Sequence, residues 1–227
     1  MLAKMEAGAP LCQAMPAISP MRLEEASRGG KAESILVAAQ HHFLEHGFGA
    51  VSMDAIAREA GVSKATVYAH FASKEELFGA IVARVSERHF HGFSPPELDP
   101  RDIAASLAVL ARRFLDLLLS PEAIALNRII IAEVARFPGL GEVFWQAGPE
   151  RSRLQIEAFL RRAVEAGSLS IADTRQAAEQ FAALARGEIH LRQLLRLDAA
   201  AGEAALAQAA RLAAETFANA FRSPGRA

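Results

Sequence analysis

The sequence predicts an all-α protein, and three observations support this fold class. Hydrophobic residues make up 52% of the 227 residues, and Ala, Leu, Glu and Arg, which favour helices, dominate the second half. From Lys31 onward, apolar residues recur at the spacing of a helix face. Glycines, prolines and capping residues separate these periodic stretches. The chain has no internal repeat and no convincing strand pattern, so we expect helices throughout.

Three helical patterns open the periodic part of the chain. The first ends at Gly47, and its apolar face consists of Ile35, Leu36, Ala39, Phe43 and Leu44. Ser52 is the predicted N-cap of a second helix that runs to Gly61, and Ser63 caps a third over residues 64–70, because serine hydroxyls accept bonds from free N–H groups at a helix start. The second and third helices are too short to be stable alone, so both must pack on neighbours.

A fourth, longer helix begins at a capping box. Ser73 and Glu76 have the S-x-x-E spacing in which the hydroxyl and the carboxylate each satisfy a free backbone N–H. This helix is expected to reach about His91. The stretch GFSPPELDP follows, and its prolines and glycine interrupt the helical pattern. We therefore predict a boundary between two parts of the chain there.

The second part carries five predicted helices, most of which begin at a capping residue or a proline. Asp173 and Gln176 form a D-x-x-Q variant of the capping box. The predicted helices run from Asp99–Pro100 to about Leu119, from Ser120–Pro121 to a point before Pro138, from Pro149 to Gly167, from Asp173 to about Leu197, and from about Glu203 to Phe221.

These patterns divide the chain into three segments: a disordered N-terminal tail over residues 1–29, a three-helix head with its connecting helix over 30–91, and a helical domain over 100–223. The tail lacks the continuous apolar region of a signal peptide. No apolar run approaches the roughly 18 residues of a membrane span. The single Cys12 cannot form an internal disulfide, which favours a reducing cytoplasm.

Charge gives no global indication of a nucleic-acid partner. The formal net charge is -1. Seven Lys or Arg and seven Asp or Glu lie from Arg28 to His91, so this stretch is formally neutral. A nucleic-acid interface must therefore be argued from local features.

The second and third helices have the spacing of a tight helix-turn-helix. Ala57 is small enough to let the helices approach, and Gly61 takes the turn between them. The residues predicted to face inward are Ile56, Val62, Val67 and Phe71. The residues left on or near the exposed side are Lys64, Ala65, Thr66, Tyr68 and His70. Short side chains permit close approach to a DNA groove, while Thr, Tyr and Lys can bond phosphates or base edges.

The stretch AIAREAGVSKATVYAHFASKEEL resembles the DNA-binding signature of the tetracycline-repressor (TetR) family of bacterial transcription regulators. The resemblance covers roughly residues 30–91 and implies a head whose third helix enters the major groove of a double-stranded DNA operator. It implies that Lys64, Ala65 and Thr66 lie nearest the base edges. It also implies phosphate contacts from Ser52, Ser63, Tyr68, His70 and Lys74.

The second part, with IIIAEVARFPGLGEVFWQAGP, is similar to the C-terminal domain of AcrR- and AefR-like members of that family. This resemblance implies a small apolar effector that binds between helices and changes the spacing of two heads. The apolar candidates for its pocket are Phe114, Ile130, Val134, Phe137, Phe144, Trp145, Phe159 and Phe181. The polar candidates are Asn127, Arg128, Glu133, Gln155 and Arg186. Side chains of these types either fill the core or line a cavity.

The last two predicted helices carry apolar residues on more faces than one core can absorb. We expect them to pair with their symmetry mates in a two-fold, four-helix interface of a homodimer. The alternative is that they only cover the core of their own subunit. The residues in question are Ala177, Phe181, Leu184, Ala185, Ile189, Leu191, Leu195, Leu206, Ala210, Ala213, Phe217 and Ala220.

Functions besides DNA-binding regulation rest on weaker signals. His42, Glu45 and His46 match the H-x-x-E-H pattern of inverted zinc proteases, in which a histidine pair holds zinc and the glutamate acts as base. This helix is needed to support the head, and no third ligand is evident. We therefore expect no enzyme activity, no cofactor and no metal. The favoured function is a repressor that leaves its palindromic operator when an effector binds, and a small-molecule carrier and an architectural DNA protein stay open beside it.

Overall fold

The computed structural model describes residues 30–90, 98–197 and 202–223, and in these ranges it is helical without a strand. The predicted tail and most of the predicted boundary segment lie outside them. The helices are α1 (Gly30–Ala50), α2 (Met53–Glu59), α3 (Lys64–His70), α4 (Lys74–Phe90), α5 (Ile103–Leu118), α6 (Pro121–Glu133), α7 (Pro138–Ala147), α8 (Pro149–Glu165), α9 (Thr174–Arg186), α10 (Ile189–Leu194) and α11 (Glu203–Phe221). We call α1–α4 the head and α5–α11 the body. None of these helices is both long and apolar enough to cross a bilayer.

The predicted caps of the head are confirmed. The Ser52 hydroxyl accepts a hydrogen bond from the Ala55 N–H at 3.2 Å, and Ser63 accepts one from the Thr66 N–H at 3.1 Å. Ser73 accepts from the Glu76 N–H at 3.0 Å. The Glu76 carboxylate bonds the Ala72 N–H at 2.7 Å, one residue before the position that a standard capping box uses. Side-chain chemistry within three or four residues therefore sets these helix starts.

Three predictions about element boundaries are corrected. The long helix expected after Asp173 breaks at Gly187, whose φ of 48° and ψ of −151° separate α9 from α10. The helix expected to begin at Asp99 begins at Ile103, and Asp102 caps it by accepting the Ala105 N–H at 3.4 Å. Helix α7 was not predicted, because it contains two glycines and its N-cap, Phe137, makes no side-chain cap bond.

The first of two buried cores fills the head and extends into the body. It contains the predicted inward-facing residues Ile56, Val67 and Phe71, while Val62 packs against it partly buried. Body residues of α5–α7 complete this core: Leu117, Ala123, Leu126, Ile130, Leu140 and Ala147. The short helices α2 and α3 are therefore held by the same apolar cluster that joins the head to the body.

The second core lies between α5, α8, α9 and α11. Helix α11 packs along α5, and α9 packs along α8 and α5. The largest fully buried side chains here include Phe181, Phe217, Leu107, Leu110 and Leu115. The Phe181 and Phe217 rings meet edge to face with centroids 5.2 Å apart. The two cores share α5, so the helix that begins the body connects both.

Candidate nucleic-acid interface and cavity

The turn between α2 and α3 has the tight geometry that the sequence predicts. Gly61 has a φ of 66°, in the left-handed region that a Cβ disfavours. The Val62 N–H donates to the Ala57 carbonyl at 3.0 Å and closes the turn. Ala57 is 4% exposed, so its small side chain lies at the contact between the two helices. This arrangement fixes α3 relative to α2 and leaves the outer face of α3 free.

Helix α3 exposes most of the predicted contact residues. Ala65, Tyr68 and His70 are exposed, and the Tyr68 side chain is 46% exposed. The hydroxyl of an exposed tyrosine can donate to a phosphate. Thr66 is partly buried, and its hydroxyl lies 2.8 Å from the Ser63 hydroxyl.

Lys64 is tied to a carboxylate on the same surface. Its Nζ lies 3.0 Å from both oxygens of Asp54, which is on α2. This hydrogen bond raises the pKa of Lys64 above its ordinary value. Both side chains are more than half exposed, so water and salt screen the pair. A DNA group that Lys64 contacts therefore competes with Asp54 for this ammonium or takes its remaining N–H.

Lys74 has an internal role that the sequence did not indicate. Its ammonium donates to the carbonyl of Phe48 at 2.8 Å and to that of Val51 at 2.9 Å. It also lies 4.3 Å from the centre of the Phe48 ring. Burial lowers the pKa of Lys74. Two of its three N–H groups are thus used within the head, and the predicted phosphate contact rests on the third.

The C-terminal end of α1 is held against the body beside Lys74. The Glu133 carboxylate at the end of α6 accepts the Gly49 N–H at 2.9 Å. A Cβ on Gly49 would lie 3.2 Å from both Glu133 oxygens, so glycine allows this approach. The Phe137 ring meets the Phe48 ring edge to face at 5.1 Å. We call Phe48, Gly49, Lys74, Glu133 and Phe137 the head–body junction.

The body contains an apolar cavity of about 380 Å³ beside α4. Its volume lies near the lower end of the roughly 300–1,000 Å³ of ligand sites. Helices α4–α10 all contribute to its wall. The wall residues contributed by α4 and α6 are Val82, Val85, Ser86, Ala123, Leu126 and Asn127.

Only part of the predicted pocket lines this cavity. Phe114, Asn127, Phe144, Trp145 and Arg186 do, with Trp145 half-exposed. The other predicted residues do not line the cavity, because they are packed in a core, exposed on the surface or bonded to another segment. Ile130 is buried in the first core and Phe137 packs against that core, while Phe159 and Phe181 are buried in the second core. Val134 and Gln155 are exposed. Arg128 donates to the carbonyls of Leu194 and Gln193, and the Glu133 carboxylate accepts the Gly49 N–H.

The cavity wall has polar groups that the sequence did not single out. Arg153 is 8% exposed and donates to both oxygens of Glu150, at 2.9 and 2.6 Å, and to Glu157. Its guanidinium holds the pKa of Glu150 below the ordinary value. The His190 ring is half-buried and its Nε2 has no hydrogen-bond partner. Burial, assisted by the positive charge of Arg186, lowers the pKa of His190, so the ring is neutral near pH 7.

The histidines of α1 lie beside the carboxylates of Glu45 and Glu59. His42 lies 2.8 Å from Glu59, and His41 lies 2.9 Å from the other oxygen of the same carboxylate. Glu45 faces His41 at 3.3 Å and His46 at 3.6 Å. Within the described ranges, no group of three His, Cys, Asp or Glu side chains is arranged to hold a metal. The contacts with Glu59 link α1 to α2, and those with Glu45 lie within α1.

Part of the outer surface of α9–α11 is apolar, as the sequence-based prediction of a subunit interface requires. Leu184, Leu191, Leu195 and Leu212 are 45–59% exposed. An open groove of about 340 Å³ lies beside Leu184 and Leu212. Other residues of the predicted set belong to the subunit's own core instead, because they face α5 and α8: Ala177, Phe181, Ala185, Ala210, Ala213 and Phe217.

Comparison with known proteins agrees with this geometry. Residues 35–81 match the family model of bacterial regulatory proteins of the tetR family, and residues 105–223 match that of the AefR-like transcriptional repressor C-terminal domain. The second match alone covers more than half of the chain. The chain belongs to the TetR family. It is a TetR-family transcriptional regulator with a helix-turn-helix head.

Individual relatives extend over different shares of this TetR-family chain. The solved structure of the flavonoid-responsive regulator FrrA is 36% identical over 86% of this chain and 98% of that one, with a TM-score of 0.70. The transcriptional regulator SrpR of Pseudomonas putida is 32% identical over 61% of this chain and 63% of that protein. The transcriptional activator FasR of Mycolicibacterium smegmatis is 44% identical, but the match spans 28% of this chain and 27% of FasR.

The Lys74 contacts generate a prediction about stability. Lys74→Met should lower the free energy of unfolding by about 1–2 kcal/mol, because the Phe48 and Val51 carbonyls lose a charged donor in a partly exposed site. Chemical denaturation followed by circular dichroism measures the change. Lys31→Met, at an exposed lysine of α1, is the control and should leave stability unchanged. Equal stability of the two variants would show that Lys74 has no structural role.

Proposed function

We propose that the protein is a homodimeric repressor that leaves a palindromic DNA operator when a small apolar effector fills the body cavity. The proposal rests on the observation that α4 and α6 each run from the cavity to the head–body junction. Helix α4 has Val82, Val85 and Ser86 at the cavity, and its first residue, Lys74, at the head–body junction. Helix α6 has Asn127 at the cavity and Glu133 at the junction. Each helix thus contacts both sites.

The junction supplies the physical link that the proposal requires. An effector changes DNA binding only if it binds one conformation more tightly than another. A ligand that separates α4 from α6 at the cavity would displace both helices at the junction, because packed helices move as rigid units. The Glu133–Gly49 bond and the Phe48–Phe137 contact would then carry this displacement to α2 and α3.

The DNA half of the proposal rests on the outer face of α3. Lys64, Ala65 and Tyr68 are exposed on one side of α3, and His70 is exposed at its C-terminal end. A two-fold dimer presents two such faces, and this symmetry matches a palindromic site. We propose Ser52, Ser63 and the third N–H of Lys74 as further phosphate contacts.

The lining of the cavity favours an apolar, aromatic effector. Phe114, Phe144 and Trp145 supply aromatic surface, and Asn127 and Ser86 supply polar groups that can orient a ligand. The similar regulator FrrA is flavonoid-responsive. Flavonoids are therefore the first class of compound to test for operator release.

Mutation of Tyr68 tests the DNA interface. Tyr68→Ala should weaken operator binding by roughly 1–3 kcal/mol with little change in fold, since the side chain is exposed and the contact is lost. The operator is first selected from random duplexes, and affinity is measured by fluorescence anisotropy. Leu154→Ala, at an exposed residue of α8, should bind as the wild type does. Unaltered affinity of the Tyr68 variant would remove Tyr68 from the interface.

Mutation of Glu133 tests the link between the cavity and the head. In the wild type, a releasing flavonoid should weaken operator binding at least about fivefold, a typical coupling between sites. Glu133→Ala should retain flavonoid binding, read from Trp145 fluorescence, but show a smaller release. Glu142→Ala removes an exposed carboxylate of α7 and is the control. Full release by the Glu133 variant would contradict the role of the junction, and absence of release by any compound would contradict effector control.

Mutation of Leu212 tests the dimer. The residue is 50% exposed and lines the groove on α9 and α11. Leu212→Glu should convert a dimer to a monomer in sedimentation experiments, because two-fold symmetry brings two carboxylates into one apolar interface. Leu154→Glu, on α8, should remain dimeric. A wild-type protein that sediments as a monomer at micromolar concentration would exclude the proposed assembly.

A further inference from the structure

The charged residues of the cavity wall differ in whether their charge is compensated. Arg153 is held by Glu150 and Glu157. Glu179 lies 3.5 Å from Arg175. Arg186, at the last position of α9, has no carboxylate within ion-pair distance among the described residues. The cavity therefore has one uncompensated guanidinium in its described wall, and the rest of that wall is mostly apolar.

The position of Arg186 fits the end of an amphipathic ligand. The residue lies at the exposed side of the cavity, while Phe114, Leu117 and Leu126 lie at its buried side. The neutral His190 ring lines the cavity as well, and it is near enough to Arg186 for that charge to lower its pKa. A guanidinium beside an apolar cavity binds an oxygen anion through charge-assisted hydrogen bonds.

We propose that Arg186 recognises an acidic oxygen of the effector, such as a phenolate, carboxylate or sulfonate, whose aromatic remainder occupies the cavity. This inference rests on the proposed function, because it names the chemical class of the effector. A ligand with a cationic group at this end would be repelled by Arg186. Neutral apolar compounds would enter the cavity but bind more weakly.

A matched pair of fluorescent probes tests the proposal directly. The anion 1-anilinonaphthalene-8-sulfonate and neutral N-phenyl-1-naphthylamine differ only in the sulfonate, and both fluoresce in apolar surroundings. Arg186→Gln should weaken binding of the sulfonate about three- to tenfold, as expected for one partly exposed charged contact, and leave the neutral probe unchanged. Arg186→Lys should restore part of the loss because it keeps the charge. A second pair, flavone and 7-hydroxyflavone, tests whether Arg186 also recognises a phenolic oxygen.

Two control variants separate this effect from others. Arg211→Gln removes the same charge from an exposed position of α11 that does not line the cavity, and should change neither probe. Ala182→Phe fills part of the cavity and should weaken both probes, which locates them there. Sedimentation of Arg186→Gln must match the wild type, because Arg186 also borders the α9–α11 groove.

The probe and operator-release measurements distinguish failure of the role of Arg186 from failure of the proposed function. Equal loss of both probes in Arg186→Gln, or no loss of either, would overturn the role of Arg186. Binding that depends on Arg186 without release of operator would uphold the recognition of an acidic oxygen and count against effector control. A preference for the sulfonate that persists in Arg186→Gln would assign the anion to another group and overturn the inference.

Discussion

The packing of Phe48 is the interaction on which the arrangement of the head depends. Its ring lies 5.5 Å from Phe43 of α1, 5.7 Å from Phe78 of α4 and 5.1 Å from Phe137 at the start of α7. Helices α2 and α3 have seven residues each and cannot persist alone in water. They keep their orientation because this aromatic cluster fixes the helices around them, and Lys74 closes the loop that leads into α2.

The sequence predicts those parts of the fold that depend on local chemistry. The caps Ser52, Ser63 and Asp173 each bond an N–H three residues onward, so their effect is visible in a short window. The turn at Gly61 can be predicted for the same reason. Helix α7 is missed because tertiary packing, with Leu140 fully buried, outweighs two glycines of low helix propensity. The break at Gly187 is missed because apolar spacing continues across it.

The cavity could be predicted only in part, because it forms where several helices fail to fill the space between them. An aromatic residue has the same pattern in a sequence whether it fills a core, as Phe159 and Phe181 do, or lines a cavity, as Phe114 does. The same holds for polar groups. Asn127 and Arg186 line the cavity, whereas Glu133 and Arg128 are used in contacts between distant segments that no local pattern reveals.

The Lys64–Asp54 pair has a consequence for how the regulator searches a genome. Proteins with strongly basic surfaces are retained by the vast excess of random duplex, since each phosphate contact releases counterions. Here Lys64, a cation on the proposed DNA-facing side of α3, is paired with Asp54, and the stretch from Arg28 to His91 carries as many acidic as basic residues. Chromosomal DNA should therefore act as a weak competitor, and the free pool of the regulator should stay large. Under the proposed function, discrimination between operator and random duplex then depends on the close contacts that form after encounter.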